Sequence, residues 1–63
     1  MGQIETNRAR VVRRLGREGW FMARSGAEHD IYRHPSGGVV SVPRHRTLSP
    51  GVARSIAKAA GWL

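Results

Sequence analysis

Sixty-three residues predict one domain, residues 1–63, with a small core and modest burial to hold it together. The chain has no cysteine, which excludes disulfides and thiolate metal sites and fits a reducing compartment such as the cytoplasm. Eleven Lys+Arg, ten of them arginine, stand against four Asp+Glu, a formal net charge of +7 that points to nucleic acid or an acidic protein surface as partner.

No apolar run is long enough to span a bilayer, and the first residues lack the basic-then-apolar layout of a signal peptide. Met1-Gly2-Gln3-Ile4-Glu5-Thr6 matches the loose pattern for N-myristoylation, but nothing else in the chain suggests a membrane role.

The first helix is predicted from Thr6 to about Arg17. Ile4, Val11, Val12 and Leu15 share one face, and Arg8, Arg10, Arg13, Arg14 and Arg17 cover most of the rest. Thr6 or Asn7 is placed to cap its start, and Gly19 suits the left-handed position just past its end. Neighbouring like charges repel along a helix, so this run of arginines is more readily understood if an anion meets it. Its apolar stripe lacks the large residues of a membrane-surface helix and suits the covering of a sheet.

Three short strands follow. Trp20 to Ser25 is rich in strand formers at its start, and Ser25-Gly26-Ala27-Glu28 reads as a turn. His29 to His34 is the second strand, stopped by Pro35, and Ser36-Gly37-Gly38 is the second turn. Val39 to Val42 is the third, stopped by Pro43. Connections this short predict an antiparallel meander.

Side chains alternate along a strand, so His29, Ile31 and Arg33 share one face and Asp30, Tyr32 and His34 the other. Val40 and Val42 are expected to face the core. Ile31 is expected to join them, leaving Tyr32 and His34 on the open face and His29 at the rim of the covered one. His29 and His34 then point opposite ways, and His45 lies beyond Pro43. No ligand set has metal-site spacing, so no metal centre is expected.

Pro43-Arg44-His45-Arg46-Thr47-Leu48 is a dense basic loop, suited to clamping phosphate. Ser49-Pro50 is a strong helix start, Val52, Ile56 and Ala59 or Ala60 form its apolar stripe, and Gly61 is its stop. The expected architecture is α+β: a two-layer α-β-β-β-α domain, a three-stranded antiparallel sheet with two helices on one face. The same order occurs in double-stranded-RNA-binding domains.

Four stretches in this order carry a resemblance. They are Leu15 through Gly19-Trp20; Gly26-x-x-His29-Asp30-Ile31-Tyr32-Arg33-His34; Val40-Ser41-Val42-Pro43-Arg44-His45; and Arg54-Ser55-Ile56 through Ala60-Gly61. Together they resemble the HicA toxin family of toxin–antitoxin pairs. The resemblance implies a fold like a double-stranded-RNA-binding domain, an mRNA interferase activity, and a HicB-type antitoxin that covers the active site. It also implies that His29 is the catalytic histidine, a residue that taken alone reads as a structural histidine near a turn. The commoner family motif has serine where this chain has Glu28, an acid that would repel phosphate locally.

RNA carries its own nucleophile in the 2′-hydroxyl, and a histidine near neutrality suits the proton transfer that activates it. On this reading His29 is the acid–base group, with Arg33, Arg44 and Arg46 on backbone phosphates. Arg13, Arg17 and His45 are further RNA contacts, and His45 or Tyr32 is the second proton carrier. No cofactor is called for. The alternative is a module of the same fold that grips structured RNA without cutting it.

Overall fold

The computed structural model describes residues 4–63, so the first part of the N-terminal lipidation pattern lies outside the described residues. Helix α1 (Arg8–Arg17) is followed by strands β1 (Phe21–Ser25), β2 (His29–Arg33) and β3 (Val39–Pro43) and by helix α2 (Pro50–Ala59). The strands form one antiparallel sheet in the order β1-β2-β3. This is the expected α-β-β-β-α arrangement.

The helix ends follow from local chemistry. Asn7 accepts a hydrogen bond from the Arg10 N–H and so caps α1, while Ser49 does the same for the Val52 N–H at α2 behind a proline in the first turn. Gly19 and Gly61 take positive φ, and the amides of Trp20 and Trp62 reach back to the carbonyls of Leu15 and Ala57. Each pattern closes a helix in a conformation that only glycine adopts cheaply. The entry to α1 is tied down as well: the Leu48 amide donates to the Thr6 carbonyl and the Arg8 amide to the Arg46 carbonyl.

Val11 and Leu15 of α1 and Ala53 and Ile56 of α2 pack with Trp20, Tyr32, Val40, Val42 and Leu48 in one core. The sheet members of that core settle the faces. Tyr32 pairs with Val40 and Asp30 with Val42, so both point toward the helices, and they are only 8% and 6% exposed. The expectation that Ile31 would be the inward residue, with Tyr32 outward, is therefore corrected. His34 is likewise held on the helix side, where its Nε2 meets the Glu18 carbonyl oxygen at 2.8 Å and its ring meets Trp20 edge-on.

Gly38 is required by that corner. A Cβ there would run into the Trp20 ring. Gly38→Ala should lower the melting temperature by about 5 °C, because the crowded indole must leave its site or the strand must shift. Thermal unfolding followed by circular dichroism checks this.

Trp62 fastens the far end of α1. Its indole N–H donates to Glu18 Oε1 at 2.6 Å, and the Arg14 guanidinium lies 4.1 Å from the ring centre. Arg14 also holds Glu18 Oε2 at 3.0 Å. These two donors, the Trp62 N–H first, lower the Glu18 pKa. No helix among the described residues is long and apolar enough to cross a membrane.

Candidate active site

The Gly26-x-x-His29 spacing has a direct structural cause. The Gly26 amide donates to the His29 carbonyl at 2.9 Å and closes the β1–β2 turn. A Cβ on residue 26 would lie 2.8 Å from that same oxygen, so the close approach requires glycine. On the other side, the Arg44 amide donates to the Glu28 carbonyl at 3.0 Å. The backbone on both sides of His29 is thus fixed before its side chain does anything.

His29 itself is exposed. It lies opposite Pro43 in the β2–β3 ladder and on the face away from Asp30 and Tyr32. It stands at a rim, as expected, but the rim of the open face. Its ring borders three surface hollows. One opens on the sheet face beside Arg24 and Ile31. A second runs along the β3 edge toward Val52 and Ser55 of α2. The third is at the exit of β3, where His45, Thr47 and Ser49 also line the wall.

Immediately behind His29 is an ion-pair hub absent from the sequence reading. The Asp30 carboxylate accepts from Arg8 Nη2 at 2.7 Å and from Arg44 Nε and Nη2 at 3.0 and 2.8 Å. Ser25 Oγ donates to it at 3.2 Å, and Arg44 Nη2 also reaches Ser25 Oγ. Arg8 Nε donates to the Pro43 carbonyl at 2.8 Å. One carboxylate therefore ties α1, β1, β2 and the loop after β3. The hydrogen bonds from Arg44 lead the effects that hold the Asp30 pKa below the usual carboxylate range; Ser25 and the Arg44 and Arg8 charges add to them, and burial opposes them.

One of the sequence-derived candidates, His45, comes together with His29. The two line one hollow, while the Arg44 side chain, 44% exposed, is anchored on Asp30, which points away from the His29 face. Arg46 lies in a neighbouring hollow with Asn7, Arg8 and Arg44. Arg33 is exposed at the opposite end of β2, about 13 Å along the strand. Arg13 and Arg17 line a separate hollow on α1 with Arg14 and Trp62 and are not brought to His29. Tyr32, the other proposed proton carrier, points into the core and does not face His29.

Glu28 flanks the sheet-face hollow and makes no ion pair among the described residues. Glu28→Ser should tighten binding of a short RNA about twofold at low salt, an effect that fades as salt screens the charge. Titration at two ionic strengths reads it.

The site thus offers an exposed histidine on a fixed turn and a second histidine lining the same hollow, with Arg44 and Arg46 lining another. Residues 8–62 match the family model described as HicA toxin of bacterial toxin–antitoxin. No curated protein matches the chain.

Proposed function

Since the chain belongs to the HicA toxin family of bacterial toxin–antitoxin systems, we propose that it is an endoribonuclease that cuts mRNA by acid–base chemistry at His29. The observation that carries this reading is the exposed His29 lining one hollow with His45. The 2′-oxygen attacks the adjacent phosphorus while one imidazole takes its proton. The bond from phosphorus to the 5′-oxygen breaks, and the other imidazole supplies the proton that oxygen needs. The products are a 2′,3′-cyclic phosphate and a 5′-hydroxyl. Arg44 and Arg46 offset the charge that builds on the phosphoryl oxygens.

The toxin works by removing mRNA in the cytoplasm and so halting translation, and a HicB-type antitoxin restrains it by covering the His29 cleft. A basic surface with several arginines that form no ion pair among the described residues supports both an RNA substrate and an acidic inhibitor. The test is to incubate the purified chain with RNA in the presence of a metal chelator and identify the new ends. Cyclic-phosphate ends, lost when the nucleotide at the cut carries no 2′-hydroxyl, bear the proposal out. Tight RNA binding with no cleavage would replace it with the non-catalytic binding module.

A further inference from the structure

Among the described residues, no element covers the face of the sheet turned away from the helices. In register across the strands it carries Phe21, Arg33 and Val39 at one end, Arg24, Ile31 and Ser41 in the middle, and His29 opposite Pro43 at the other. Phe21 and Val39 are 50% and 48% exposed. Neither Arg24 nor Arg33 forms an ion pair among the described residues.

Arg24 and Phe21 share this face only because of an irregularity. Residues three apart point to opposite faces of a regular strand. The ladder slips between Met22 and Arg24, so Ala23 is an extra residue, Arg24 pairs with Ile31, and Phe21 still pairs with Arg33. Bulges of this kind re-aim side chains next to active sites. The result is a guanidinium in the same hollow as His29, with only Glu28 as an acid at its margin.

We infer that this open sheet face is the track for the single-stranded RNA on either side of the cut, with Arg24 on a phosphate next to His29 and Phe21 stacked against a base farther along. The inference rests on the nuclease reading for its catalytic end but not for its binding end. A flat surface with an exposed aromatic ring suits unpaired bases, whose faces are available, and does not suit a duplex, whose bases are already stacked. The row of Phe21 lies about 13 Å from the row of His29, a distance that a few nucleotides of extended strand cover. Base preference at the Phe21 position would then add selectivity away from the bond that breaks.

The test uses a short 2′-O-methyl oligoribonucleotide, which has no free 2′-hydroxyl and so cannot be cut by the proposed route, followed by fluorescence anisotropy. Phe21→Ala should weaken binding about tenfold with little change in salt dependence. Arg24→Gln should weaken it severalfold and reduce the slope of log affinity against log salt by about 0.7. Lys58→Gln, on the exposed side of α2, should leave affinity unchanged. Melting curves confirm that each variant folds. A duplex of the same sequence should be nearly indifferent to Phe21→Ala. If both sheet-face variants bind the single strand as the unaltered chain does, the face serves a protein partner or none, and the inference is overturned. Equal losses on duplex and single strand would overturn the stacking role. The expected losses in binding, together with failure of the unaltered chain to cut unmodified RNA, would strike the nuclease reading and leave this one standing.

Discussion

Replacing His29 with alanine should lower the rate of RNA cleavage by about 10²- to 10⁴-fold, the range that a positioned acid–base group contributes. The melting temperature should barely move, because the ring is exposed and its backbone is fixed by Gly26 and Arg44 independently of the side chain. That separation of activity from stability is the signature to look for. A structural histidine would lose both together. His45→Ala discriminates further. If the two imidazoles divide the proton transfers, the pH–rate profile of the unaltered protein has two limbs, and His45→Ala abolishes one of them. A profile unchanged in shape would remove His45 from the chemistry and leave His29 acting with solvent.

The second large effect is expected at Asp30. Asp30→Ala should lower the melting temperature by on the order of 10 °C, because it leaves Arg8 and Arg44 facing each other around a site built for a carboxylate. Cleavage should fall as well, since Arg44 loses its anchor. The same residue sets an acid limb on stability. Its folded-state pKa is lowered, so its contribution is present above the ordinary carboxylate range and is lost as the pH falls through the folded value. Asp30→Asn should therefore be less stable near neutrality and show a flatter decline on acidification. Melting temperatures measured across the acid range would show both.

Much of the framework was legible in local sequence. The cap at Thr6 or Asn7, which falls on Asn7, the Ser49-Pro50 start and the glycines at 19 and 61 are short-range signals, and the helices end where those signals lie. The orientation of β2 was misread, although parity decides it. Arg33 pairs with Val39, with five residues between them, so even-numbered positions on β2 meet even-numbered positions on β3. Val40 and Val42 consequently bring Tyr32 and Asp30 inward with them. A three-residue Ser36-Gly37-Gly38 turn already implies the same parity, so an inward Ile31 fits its apolar side chain but not that count. The Asp30 hub was hidden for a different reason. Its partners lie 22 and 14 residues away, and no periodicity reports a contact of that kind. Arg24 was overlooked because its direction depends on the extra residue at Ala23, for which the sequence carries no local marker.

Arg44 has one further property. Asp30 and Ser25 hold its Nε and Nη2, while Nη1 has no partner among the described residues. The rotational freedom of this long side chain was surrendered when the chain folded. An anion meeting its free edge is therefore spared an ordering cost that it would meet at Arg46, whose side chain has no hydrogen-bond partner among the described residues. Lysine at position 44 would keep the charge yet lack the second edge, so it would have to choose between Asp30 and the incoming phosphate. Calorimetry of anion binding would register that difference as entropy, with little change in the number of charges engaged.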